Sequence, residues 1–232
     1  MSKQVKVLAF DVFGTVVDWH GSITREVDAM KLGVSGSDFA TAWRAGYRPA
    51  MDRVRQGDLG WTKIDDLHRM ILDQILIDFG LEKMDESTRH HLNKVWHRLA
   101  PWSDSVTGLS RLKTRFSICT LSNGNLGLLS NMAKQAGLPW DLILSAEVFR
   151  HYKPDPETYL GVAAIFDLQP AEVMLVAAHK DDLEAAQACG LATAFIERPD
   201  EFGPVRRNDL GRDHPFDYHA TDFLDLAKQL GC

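Results

Sequence analysis

Short apolar runs at residues 5–11, 116–121, 142–145, 173–178 and 192–196 constrain this chain most. Each has the length of a strand. From residue 101 onward they alternate with helical patterns near 105–114, 125–136, 157–166 and 181–189. That alternation predicts an α/β fold, a parallel sheet with helices on both faces. Residues 20–100 break the rhythm and read as almost entirely helical. There Ser37 is expected to open a helix past Trp43, Arg44 and Tyr47, with a bend at Pro49 and a stop at Gly57. Thr62 and Asp65 have the spacing of a capping box, followed by Ile64, Leu67, Ile71, Ile75 and Phe79 at helical intervals up to Gly80. The stretch 198–216 is polar, rich in Pro and Gly, and reads as an irregular surface segment.

The first apolar run ends in VLAFDVFGT, residues 7–15. An aspartate at the end of a buried strand, just before a glycine turn, can be held in a fixed pose by backbone N–H groups. That is how a carboxylate nucleophile is presented, and Asp11 is the candidate. A phosphatase-type enzyme would want a second acid two residues later to protonate its leaving oxygen. Position 13 is phenylalanine instead. The chemistry indicated is a displacement whose leaving group needs no proton.

The other strand ends are equally polar. Ser122 and Asn123 follow the second run, Lys153 lies after the third, and His179, Asp181 and Asp182 follow the fourth. In an open parallel sheet these carboxyl ends share one edge, where ligands bind. The net charge of −6 argues against nucleic acid and does nothing to attract an anion, so local cations must hold any anionic substrate. No apolar run approaches the roughly 20 residues that span a bilayer. The N-terminal MSKQVKVLAF does not read as a signal peptide. The three cysteines, Cys119, Cys189 and Cys232, have no metal spacing; reduced, non-catalytic thiols in a cytoplasmic protein are expected.

In order and spacing, Asp-x-Phe-Gly-Thr, Leu-Ser-Asn-Gly, Lys-Pro-Asp and the acidic pair at 181–182 resemble the haloacid dehalogenase superfamily. Phe13, Ala-Trp-Arg at 42–44 and Ser-Asn-Gly at 122–124 are most similar to its 2-haloacid dehalogenases. The resemblance implies a Rossmann-like catalytic core, residues 1–17 and 100–232, with a helical cap, 18–99, inserted after the first strand. It also implies cofactor-free, metal-independent hydrolysis of a short anionic 2-haloacid to a 2-hydroxy acid and halide, commonly by a homodimer.

Under that resemblance Asp11 attacks the halogen-bearing carbon, and water then hydrolyses the aspartyl ester. Lys153 keeps Asp11 ionised. Thr15 and Ser122 hydrogen-bond the Asp11 or substrate carboxylate. Asn123 donates to the departing halide, and Arg44 holds the substrate's carboxylate or the halide. Val12 and Phe13 supply backbone N–H groups and an apolar wall, and Tyr159 matches a tyrosine near the site. Asp182 orients or deprotonates the water. Ala177 and His179 stand where these enzymes commonly carry Ser and Asn. His179 is expected to donate to halide or take a proton from water. A small pocket with extra donors would suit fluoride, so fluoroacetate joins the candidate substrates. The remaining readings are a Mg²⁺-dependent phosphatase, using Asp11, the Phe13 carbonyl and Asp182, and a non-catalytic carboxylate-binding protein on the same scaffold. The tryptophans Trp19, Trp61, Trp96, Trp102 and Trp140 read as packing residues.

Overall fold

A computed structural model describes residues 4–203 and 213–232. Its elements in chain order begin with β1 (Val7–Phe10), β2 (Val17–Asp18), α1 (Trp19–Ala29), α2 (Gly36–Ala45), α3 (Tyr47–Arg55), α4 (Ile64–Asp78) and α5 (Glu86–Asn93). A short 3-10 turn, Lys94–His97, leads to β3 (Ala100–Pro101), α6 (Ser105–Leu112), β4 (Ser117–Ser122), α7 (Leu126–Ala136), β5 (Leu142–Ser145) and α8 (Ala146–Phe149). Then come α9 (Pro156–Ile165), β6 (Val173–Ala177), α10 (Lys180–Ala188), β7 (Ala192–Ile196), β8 (Tyr218–Ala220) and α11 (Phe223–Gln229).

The main sheet runs β5-β4-β1-β6-β7-β8, and every pairing in it is parallel. All four residues of β1 are buried because the strand is central and covered on both faces. Side chains alternate across a strand. Accordingly Val7 and Ala9 join one hydrophobic cluster with Leu121 and Leu175, while Leu8 and Phe10 join another with Ile118 and Val176. That second cluster continues through Val12, Phe13, Val16 and Val17 into Trp19, Ile23, Phe39, Trp43 and Leu67 of the helical stretch. The short strands β2 and β3 pair antiparallel where this stretch leaves and rejoins the sheet.

Strand order reverses at β1, flanked by β4 on one side and β6 on the other. The crevice beyond the carboxyl ends at such a switch point is where open α/β sheets bind ligands. Among the described residues no helix is long and apolar enough to cross a membrane.

The four expected strands after residue 100 fall at the expected places, and β8 adds an edge strand that sequence patterning missed. Three local expectations were wrong. Ser37 does not open α2; Ser35 is its N-cap, accepting from the Asp38 N–H at 3.2 Å. The helix breaks at Gly46 rather than bending at Pro49, which sits in the first turn of α3, where a missing N–H costs nothing. No capping box forms at α4, because Lys63 holds the cap position and Thr62 Oγ1 donates to the Gly60 carbonyl. Asp65 instead binds Lys94 and His97, at 3.0 and 2.9 Å.

The stretch 198–216 lies partly outside the described residues. Its beginning is no surface segment. Arg198 is buried and bidentate to Asp104, at 2.9 and 2.8 Å, and its Nε donates to the Thr15 carbonyl. Glu201 is fully buried.

Candidate active site

Asp11 follows β1 directly, and its carboxylate is met by three donors. Thr15 Oγ1 donates to Oδ2 at 2.7 Å, His179 Nδ1 lies 3.1 Å from Oδ2, and Lys153 Nζ donates to Oδ1 at 3.0 Å. The Thr15 hydroxyl accepts from the Ala178 N–H at 2.9 Å, so its own hydrogen is aimed at Asp11. Lys153 also donates to Asp182 Oδ2, while the Tyr159 hydroxyl donates to Asp182 Oδ1 at 2.6 Å. Asp11, Lys153 and Asp182 are each at most 9% exposed, so these contacts act with little solvent screening.

Burial pushes the Asp11 carboxyl up. The Lys153 charge and the His179 and Thr15 contacts outweigh it, holding the group well below the usual carboxylate range. For Lys153, burial works against the charge, but Asp11 and Asp182 together raise it. Asp182 is raised by burial and by Asp11, with Lys153 opposing. The shared ammonium thus leaves two unlike carboxylates: a strongly ionised one after β1 and a more basic one in the first turn of α10.

His179 is squeezed between two carboxylates. Nδ1 faces Asp11, and Nε2 lies 2.8 Å from Glu201 Oε1. A carboxylate oxygen only accepts, so both ring nitrogens carry hydrogen and the ring is an imidazolium. Burial would lower its pKa; Glu201 and Asp11 instead raise it to about 10. This corrects one expected role, since a ring donating from both nitrogens has no lone pair with which to take a proton from water. Glu201 also accepts from Trp19 Nε1 at 3.1 Å. Gly14, at φ +85°, makes room for it, because a Cβ there would stand 2.2 Å from Glu201 Oε1.

A cavity of about 330 Å³ opens onto Asp11, Phe13, Asn123, Lys153, Tyr159, His179 and Asp182, with Arg44, Tyr47, Met51 and Phe202 on its other walls. The Arg44 guanidinium lies 4.2 Å from the Tyr47 ring centroid and 5.6 Å from that of Trp19, and its buried Nη1 has no hydrogen-bond partner. Asn123 Oδ1 accepts from the Lys153 N–H at 2.8 Å, fixing the backbone beside the ammonium.

Three expected residues, Ser122, Val12 and Thr15, do not line the cavity; Thr15 reaches it only through Asp11. Ser122 is 1% exposed, and its hydroxyl accepts from the Gly124 N–H at 3.1 Å rather than meeting Asp11. The Val12 side chain is buried in the core and so forms no wall of the cavity, and its carbonyl accepts from Val16 and Val17. Tyr159 is fully buried, with its hydroxyl on Asp182. Sequence reading missed Glu201 as the partner of His179, and Trp19 as a donor to Glu201. Nothing in the polar run RPDEFGP marks one acid as buried.

An ionised carboxylate, a lysine and a second carboxylate thus converge at one sheet edge, beside an open cavity. The chain belongs to the haloacid dehalogenase-like hydrolases, whose family pattern matches residues 5–190. It is similar over 98% of its length to an L-2-haloacid dehalogenase of solved structure, at 46% identity, with a TM-score of 0.93 and 100% of that chain covered. A defluorinating L-2-haloacid dehalogenase matches at 46% identity over 98% of this chain and 96% of its own, with a TM-score of 0.94. (S)-2-haloacid dehalogenase 1 of Pseudomonas sp. strain CBS-3 is 29% identical over 219 residues, 87% of this chain and 91% of that one.

Proposed function

We propose that this enzyme hydrolyses short 2-haloacids to 2-hydroxy acids through an ester on Asp11. The observation that carries the reading is that a buried anionic carboxylate, Asp11, and the Arg44 guanidinium, one nitrogen of which is unpartnered, line one cavity. Arg44 takes the substrate carboxylate and turns the halogen-bearing carbon toward Asp11. A charge-assisted hydrogen bond of this kind contributes about 1.5–3 kcal/mol.

Oδ1 has one donor where Oδ2 has two, so Oδ1 is the nucleophile. It forms the C–O bond as the C–X electron pair leaves with the halide. No proton is required, and Phe13 supplies none. Oδ2 then becomes the ester carbonyl oxygen. When water attacks the Asp11 carbonyl carbon, the negative charge develops on Oδ2, where the Thr15 hydroxyl and His179 Nδ1 are already aimed. They form an oxyanion hole. Asp182, the more basic carboxylate, accepts the water's proton. Collapse breaks the Cγ–Oδ1 bond; the leaving alkoxide takes the proton from Asp182 and departs as the hydroxy acid with the former Oδ1, while the water oxygen stays on Asp11 and its second proton passes to solvent. The net change is haloacid plus water to hydroxy acid, halide and a proton. Asn123 is the donor offered to the halide, fluoride included; both N–H groups of the His179 imidazolium are already taken by Asp11 and Glu201, so it acts on the halide only through its charge. Residues 1–17 and 100–232 act as the catalytic core and 18–99 as its cap. The enzyme is a cytoplasmic homodimer selective for the (S)-enantiomer; light scattering and the two 2-chloropropionates test the oligomer and the selectivity.

Magnesium-dependent phosphatase chemistry fits these residues poorly. A divalent cation at Asp11 would face the Lys153 ammonium and the His179 imidazolium.

The decisive assay is halide release from chloro-, bromo- and fluoroacetate in the presence of EDTA. A single turnover in ¹⁸O-water should label Asp11 and leave the product unlabelled. Label appearing in the product, or brisk hydrolysis of p-nitrophenyl phosphate with Mg²⁺ and none of the haloacids, would overturn the reading.

A further inference from the structure

Lys153 lies on the connection between α8 and α9, and this connection is gripped on both sides by the segment that leaves α3. On one side the Tyr152 hydroxyl donates to the Thr62 carbonyl at 2.6 Å, and the Tyr152 ring stacks on Trp61 with centroids 5.0 Å apart. On the other side Arg55, the last residue of α3, sets Nε and Nη2 each 2.9 Å from Asp155 Oδ1. Asp155 is the N-cap residue of α9, and its own N–H donates to the Tyr152 carbonyl at 2.9 Å. The backbone that carries Lys153 is therefore fixed at residues 152 and 155 by residues 55–62.

The guanidinium of Arg55 has little left for a ligand. Its third nitrogen, Nη1, lies 3.2 Å from Asp52 Oδ1. Although it lines the cavity, Arg55 is an anchor and not a free cation. Arg44, with an unpartnered nitrogen, is the opposite case.

We infer that Arg55 is a positioning residue for the reaction: through Asp155, and together with the Tyr152–Thr62 contact, it holds the Lys153 ammonium between Asp11 and Asp182. The inference rests on the dehalogenase reading above, in which Lys153 acts on the nucleophile. Its physical basis is leverage. A half-buried ion pair contributes little to stability. A displacement of about 1 Å at a catalytic group, by contrast, can cost a hundredfold in rate. Docking of the helical stretch and correct placement of the catalytic lysine become one event.

The test compares wild type with Arg55→Gln, Asp155→Asn, the double variant and Arg55→Lys, measuring kcat and KM for chloroacetate by chloride release, and the melting temperature. Arg55→Gln and Asp155→Asn are each expected to lower kcat about tenfold, with KM held within about twofold. The double variant should be no worse than either single one, and Arg55→Lys should recover most of the rate. Arg69→Gln, which removes an ion pair with Asp73 and Glu86 elsewhere on the surface, should leave kcat unchanged. If an ion-pair variant melts early, Tyr152→Phe, which deletes only the grip on the other side of Lys153, must still lower kcat. An unchanged kcat, strictly additive losses, or a rise in KM alone would overturn the inference; the last would make Arg55 a substrate contact. Wild type that releases no chloride would instead defeat the dehalogenase reading itself.

Discussion

Glu201 Oε1 lies 2.8 Å from His179 Nε2, on the opposite edge of the imidazole from Asp11. The ring is therefore cationic at neutral pH and donates to the carboxylate of Asp11. Its pKa of about 10 compares with 6.5 for an ordinary histidine. A raised folded-state pKa contributes stability that is complete below about 6.5 and is lost as pH rises through about 10. Activity should decline over the same alkaline limb. Glu201→Gln keeps the shape and removes the charge, so the limb should move toward neutral pH and kcat should fall about tenfold. A pH–rate profile with its alkaline midpoint unmoved in that variant would contradict the imidazolium.

Asp11→Asn removes the attacking oxygen's charge. Halide release should fall by roughly 10⁴-fold or more, because the positioned nucleophile carries the reaction. Rapid-quench mass spectrometry of wild type should find the ester on the peptide spanning residues 7–15, and the variant should show none.

Arg44→Met should raise KM by roughly 10- to 150-fold, the equivalent of one charged hydrogen bond. The unliganded variant should melt no lower than wild type, since the lost guanidinium nitrogen is buried without a partner. Initial rates over a range of haloacetate concentrations, with a thermal melt, check both halves.

His68 is fully buried, stacks on Trp96 with ring centroids 4.0 Å apart, and has no hydrogen-bond partner on either nitrogen. Burial, with Arg44 and His97 adding to it against Asp65, lowers its pKa to about 3. Below about 6.5 the unfolded chain takes up a proton that the folded chain refuses, so stability falls as pH drops toward 3. His68→Phe keeps the stacking and removes the unpaired polar atoms. It should raise stability by on the order of 1 kcal/mol, and more at acid pH than at pH 8. Denaturant midpoints at pH 5 and pH 8 decide it.

The sequence by itself determined the sheet, its parallel sense and the edge at which Asp11, Asn123, Lys153, His179 and Asp182 gather. Strand and helix periods are local, and a strand-end residue inherits its place from its strand. The buried apolar face of α4 was legible for the same reason. What only the tertiary structure decided were the contacts between distant stretches: Glu201 against His179 and Trp19, Arg44 over Tyr47, Arg55 on Asp155, and Ser122 turned to Gly124 rather than to Asp11. Local composition marked residues 198–216 as an irregular surface segment. Packing against Gly14 and Trp19 buried Glu201, and a buried carboxylate needs a partner, which His179 supplies from just beyond the end of β6, a contact that local composition does not encode.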